Sequence, residues 1–144
     1  MKQTNDIKIV GIELRTSNNE AMETIPPLWG RFYGEDIMGQ IAHKKSTDVY
    51  AVYTNFENEG VNNEGVYSLI IGAEVESFDD IPEGFSSTTI VKQNREVFSV
   101  ADGKPENVGQ TWIEIWQRDD LKKTFLAEYE LYHAKGIDIY IGVE

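Results

Sequence analysis

Two stretches, residues 7–75 and 89–142, repeat one order of hydrophobic periods, and few folds can satisfy that order twice in 144 residues. In the first stretch, Ile7–Leu14 carries the β-branched Ile7, Ile9 and Ile12 of a strand, weakened at Gly11. Ser17–Glu23 is polar and suited to capping the next element. The period then changes: Ile25, Leu28, Trp29, Phe32 and Tyr33 recur at steps of three and four, as on one stripe of a helix. Pro26 and Pro27 suit its first turn, where a missing N–H costs nothing, and the helix is expected to end near Gly39. Asp48–Phe56 (DVYAVYTNF) and Val66–Val75 (VYSLIIGAEV) read as strands joined by the polar turn cluster Glu57–Gly65, and Asp79–Gly84 reads as a loop.

The second stretch repeats this order. Thr89–Val100 is strand-like, and Ala101–Asn107 (ADGKPEN) has the chemistry of a turn. Val108–Gln117 puts Val108, Trp112, Ile115 and Trp116 within a narrow arc of a helical wheel. Ala127–His133 and Ile137–Gly142 are strands around a tight turn at Ala134–Gly136. The repeat is one of element order and not of sequence. It predicts one α+β domain built as a duplicated βαββ: a single, mostly antiparallel sheet with both helices on one face. A groove between the halves, floored by strands, is the natural place for a ligand.

Charge narrows the function. Thirteen Lys and Arg against 25 Asp and Glu leave a net charge of −12, with no basic cluster, so direct nucleic-acid binding is not expected. The same field suits a cationic partner. There is no cysteine for thiolate or disulfide chemistry, and two histidines, His43 and His133, are too few for an imidazole metal site. Asp79, Asp80 and Glu83 have the composition of a loop and not of a calcium hand. The N-terminal residues lack the apolar run of a secretory signal, and no segment approaches the ~20 apolar residues of a membrane span, so a cytoplasmic protein with no membrane association is expected.

Motifs for catalysis are lacking. GxGxxG, GxxxxGK[ST] and GxSxG do not occur, and neither histidine lies beside a serine in a recognisable motif. No catalytic residue, cofactor or metal is therefore expected. The informative pattern is carboxylates in aromatic company. On a strand, Glu128, Glu130 and Tyr132 share one face, with Tyr129 and Leu131 on the other. Glu114 lies between Trp112 and Trp116 in sequence, but at 100° per residue it turns away from their arc and faces solvent unless the groove lies on that side. Ring faces attract positive charge, and a desolvated carboxylate waiting protonated or hydrogen-bonded to a tyrosine is relieved by a ligand's charge.

The segments YAVYTN (50–55), YSLIIGAEV (67–75) and IPEGF (81–85) resemble the GyrI-like effector-binding domains, the small-molecule domains of bacterial multidrug-responsive transcription regulators. IPPLWGRF (25–32), WIEIW (112–116) and EYELY (128–132) extend the likeness over nearly the whole chain; the last is similar to the family's Phe-Glu-x-Tyr element, with Tyr129 in place of the Phe. Within that family the chain is most similar to stand-alone proteins of integron gene cassettes that bind cationic drugs. The resemblance implies a groove where aromatics and a buried glutamate hold hydrophobic cations. It assigns the glutamate to Glu130 and the aromatics to Trp29, Tyr33, Tyr50, Tyr67, Trp112 and Trp116, with Glu114 a further candidate. NREVFSV (94–100) departs from the family's apolar pattern, and Arg95 and Glu96 are expected to alter the groove lining.

The function expected is thus binding of a lipophilic cationic small molecule without turnover, as a sensor or by sequestration. No helix-turn-helix is recognisable in the sequence, so regulation would act through a protein partner. The alternative is a modulator of a DNA-binding enzyme such as gyrase, and a small-molecule hydrolase using a groove carboxylate and tyrosine ranks below both.

Overall fold

A computed structural model describes residue 3 and residues 5–144. Seven strands form one sheet: β1 (Ile7–Ser17), β2 (Val49–Thr54), β3 (Val66–Glu74), β4 (Ser86–Ile90), β5 (Asn94–Ser99), β6 (Lys123–His133) and β7 (Gly136–Val143). The order across the sheet is β4-β1-β3-β2-β6-β7-β5, and every neighbouring pair is antiparallel. Helices α1 (Ala21–Gly34) and α3 (Val108–Trp116) cross between strands 1 and 2 of each half, and the short α2 (Ile37–Gln40) follows α1. The β1-β3-β2 trio and the β5-β7-β6 trio therefore meet at the β2–β6 pair, in the α+β duplicated βαββ arrangement expected.

Alternation along the strands divides the core. Val10, Ile12, Ala51, Leu69 and Ile71 point to the helix-bearing face and pack under Leu28 and Phe32 of α1 and Ile37 of α2. In the other half Ile137, Ile139 and Ile141 pack under Trp112 and Ile115 of α3. The opposite face has no helix, yet Ile9, Tyr50, Val52, Ile70, Ile90, Ala127 and Tyr129 are buried there in one cluster. Ile9 of β1 and Ile90 of β4 share this cluster with Ala127 and Tyr129 of β6, a strand that neighbours neither, so the sheet curls over its own back.

The link between the edge strands shows how tightly it curls. Thr89–Val100, expected as one strand, is two, β4 and β5, on opposite edges of the sheet. Ile90 and Asn94 are only four positions apart, which holds the edges within about 14 Å. Arg95 fastens this closure. It is fully buried on the helix-free face, donates to the Gln3 side chain at 2.9 Å and the Ala127 carbonyl at 2.6 Å, and lies over the Tyr129 ring. Arg95 therefore does not alter the groove, and Glu96 is exposed.

Close approach also fixes β1 against β3. Gly11 and Gly72 face each other in register, and a Cβ on Gly72 would overlap the Val10 carbonyl oxygen. Helix α1 differs from expectation at both ends: it begins at Ala21, which puts Pro26 and Pro27 inside it, and it stops at Gly34. Asp36 adopts φ 48° and breaks the helix before α2, its side chain accepting from the Gly39 N–H at 3.3 Å. No helix among the described residues is long and apolar enough to cross a membrane.

Candidate functional site

The two long helices stand apart over the β2–β6 seam, and between them opens a cavity of about 1000 Å3. Ile25, Trp29 and Tyr33 of α1 form one wall, Trp112, Ile113 and Trp116 of α3 the other, and Tyr53, Glu128, Glu130 and Tyr132 the floor. The walls are apolar because each helix turns the flank of its stripe, not its centre, toward the gap; Leu28, Phe32 and Ile115 at the stripe centres are spent on the sheet. The floor carries chemistry because β6 alternates: Glu128, Glu130 and Tyr132 rise into the cavity while Tyr129 goes to the closed face.

Glu130 is 2% exposed. Three neutral donors converge on its carboxyl: the Tyr53 hydroxyl at 2.8 Å and the Trp112 indole N–H at 2.6 Å to Oε2, and the Tyr132 hydroxyl at 2.6 Å to Oε1. Burial pushes this carboxyl above the ordinary range, and the bonds from Tyr132, Trp112 and Tyr53 pull against it. Loss of water, then the negative charge of Glu130, drives Tyr53 and Tyr132 well above the usual phenol range, so both hydroxyls remain donors. Among the described residues no cation bonds to this carboxyl; its partners are all neutral dipoles. Such a group can accept a positive charge without first breaking an ion pair.

Rings frame the carboxylate. Tyr53 meets Trp112 edge to face at 5.4 Å, Trp29 meets Tyr132 at 5.1 Å, and Trp29 stacks on Tyr33 with planes 19° apart. Tyr33 is 67% exposed and Trp116 45%, so these two sit at the mouth while Trp112 is deep. Tyr67 lines the first-half side and donates to Asn18 at 3.1 Å; burial, then Glu130, pushes its hydroxyl up to about 12.

Of the eight residues singled out by sequence, Trp29, Tyr33, Tyr67, Trp112, Trp116 and Glu130 lie together around the cavity. Two do not. Tyr50 points to the closed face, beside Tyr129 and within 3.4 Å of Glu74, because it is three positions from Tyr53 and a strand sends odd steps to opposite faces. Glu114 is exposed on the outer side of α3, about 200° round the wheel from Trp112. Sequence reasoning chose Tyr50 and passed over Tyr53; what separates them is the β2–β6 register, which pairs Tyr53 with Glu128 and Tyr50 with Leu131 and is not written in either strand alone.

Among the described residues no group of three His, Cys, Asp or Glu side chains is placed to hold a metal. Asp80, from the acidic loop, instead meets His43 at 3.0 Å.

The profile of a family described as integron-associated effector-binding proteins matches residues 1–143. The chain belongs to this family. An integron cassette protein from the mobile metagenome of Vibrio cholerae has a similar structure, with TM-score 0.77 and 24% identity over 99% of this chain and 93% of that one. A protein solved with bound tetraphenylphosphonium is similar at TM-score 0.79 and 20% identity, covering 99% of this chain and 91% of that one. A putative bacterial transcription regulation protein from Staphylococcus aureus MU50 is similar at TM-score 0.74 and 18% identity, covering 99% and 95%. At these identities the three share the fold. Curated protein sequences give no match.

Proposed function

We propose that this member of the effector-binding family takes up bulky lipophilic monocations in the cavity between α1 and α3, with Glu130 as the counter-charge, and does so without chemical turnover. The observation that carries the reading is Glu130 itself: a nearly inaccessible carboxylate held by three neutral donors on the floor of an aromatic cavity. Burying an uncompensated charge costs several kcal/mol, and a ligand cation over the ring faces relieves that cost where water cannot. A relative of the same fold holds the lipophilic cation tetraphenylphosphonium, which favours the same ligand class. Around Glu130 itself the acceptor and its donors are already satisfied by one another, which supports a holding role for that carboxyl.

Equilibrium binding of a cationic dye such as rhodamine 6G, followed by fluorescence, tests the reading. Glu130→Gln keeps the shape and removes the charge, and is expected to weaken binding by about 1.5–3 kcal/mol, tenfold or more. Unchanged affinity in that variant refutes the assignment of Glu130.

A further inference from the structure

A second carboxyl on the cavity floor has no role in the Glu130 network. Glu128 is two residues earlier on the same face of β6, lines the same cavity and is 4% exposed. Among the described residues, no donor makes a hydrogen bond to it. The surrounding groups explain its state. Tyr53 faces it across the β2–β6 register but gives its hydroxyl to Glu130. The Lys123 ammonium is occupied by the Ile115 carbonyl, and Arg95 acts from the closed face. Glu106 stands at the rim of the same cavity. Burial raises the Glu128 carboxyl to about 7, against the opposing pull of Lys123 and Arg95.

Their Cα atoms are about 7 Å apart along β6, and both side chains line the one floor. They differ in preparation: Glu130 has its donors in place, whereas Glu128 accepts no hydrogen bond among the described residues and feels Lys123 and Arg95 only through space. The cavity, at about 1000 Å3, is at the large end of small-molecule sites and has room beyond what one cationic centre needs. Resting on the cation-binding reading above, we propose that the cavity has two anionic subsites, Glu130 and Glu128, and selects rigid aromatic dications over monocations of the same outline. A monocation engages Glu130 alone. A dication engages both, and any proton still held by Glu128 passes to solvent.

The test uses two probes of one shape on the full chain: N,N′-dibenzyl-4,4′-bipyridinium and the 4-phenylpyridinium analogue in which one ring is neutral. At about pH 8, wild type is expected to bind the dication roughly tenfold more tightly. Glu128→Gln is expected to abolish that preference. Calorimetry of the unsubstituted protein near pH 7, in buffers of different ionisation enthalpy, is expected to show more proton release with the dication. Equal affinities in wild type, a preference that survives Glu128→Gln, or equal proton release each overturn the second subsite. Monocation binding that is lost in Glu130→Gln keeps the cation-binding reading even then, whereas failure of both probes to bind overturns both.

Discussion

Trp112 gives its indole N–H to Glu130 at 2.6 Å, and this one bond ties helix α3 to the central strand β6 across the deepest part of the cavity. The helix is thus positioned by the group it helps to hold. Wall and floor are set together, which under the proposed function reduces the ordering that binding must supply.

The Tyr53 hydroxyl is expected to matter for the fold as well as the site. Tyr53→Phe removes one of three donors to a buried carboxylate and should cost about 2 kcal/mol in urea denaturation near pH 8. The loss should shrink in acid, because a protonated Glu130 gains less from a donor. An equal loss at both pH values would show that the bond is not charge-assisted.

Tyr50→Phe provides the contrast. Its hydroxyl reaches only Glu74, at 3.4 Å and on the closed face, so removing it should leave dye affinity unchanged and cost less than about 0.5 kcal/mol. A large loss of affinity would place Tyr50 in the site after all.

Glu128 gives the protein a pH dependence of predictable sign. Its carboxyl titrates near 4.5 in the unfolded chain and near 7 when folded. Between those values the folded state binds the proton more tightly, so stability falls as pH rises, by about 3 kcal/mol at most. Glu130, also raised, adds slope of the same sign. Urea midpoints from about pH 4.5 to 8 should show the decline, and Glu128→Gln should flatten its share. A curve no flatter in the variant would mean that Glu128 is not held out of water.

At the Gly11–Gly72 crossing, Gly72→Ala should destabilise the fold by about 3 kcal/mol, since the new methyl meets backbone and not a side chain that can move aside. Thermal unfolding measures this, and a shift within error would mean that β1 and β3 can separate there at no cost.

Much of this arrangement was legible in the sequence, for reasons that can be named. Period two placed Glu128, Glu130 and Tyr132 on one face of β6, and the three-and-four stripe gave Trp29, Phe32 and Tyr33 to one helix. Alternation cannot tell which face of a strand a helix will cover, however, and Tyr50 was lost to that ambiguity. The break between β4 and β5 falls in Val91–Gln93, which contains neither glycine nor proline, so nothing local marked the point where the chain leaves one edge of the sheet for the other. Arg95 looked like a cavity residue because its role depends on the sheet's curl, a property of pairings far apart in the chain.

The donors to Glu130 come from β2, β6 and α3, and none from α1, which contributes Ile25, Trp29 and Tyr33 to the opposite wall. Under the proposed function, the counter-charge and the aromatic wall facing it thereby reside in separate parts of the chain. Substitutions on α1 can refit the chamber to a differently shaped guest while the electrostatic anchor stays intact. A lineage built on this plan can broaden or exchange its repertoire through a few changes on one helix.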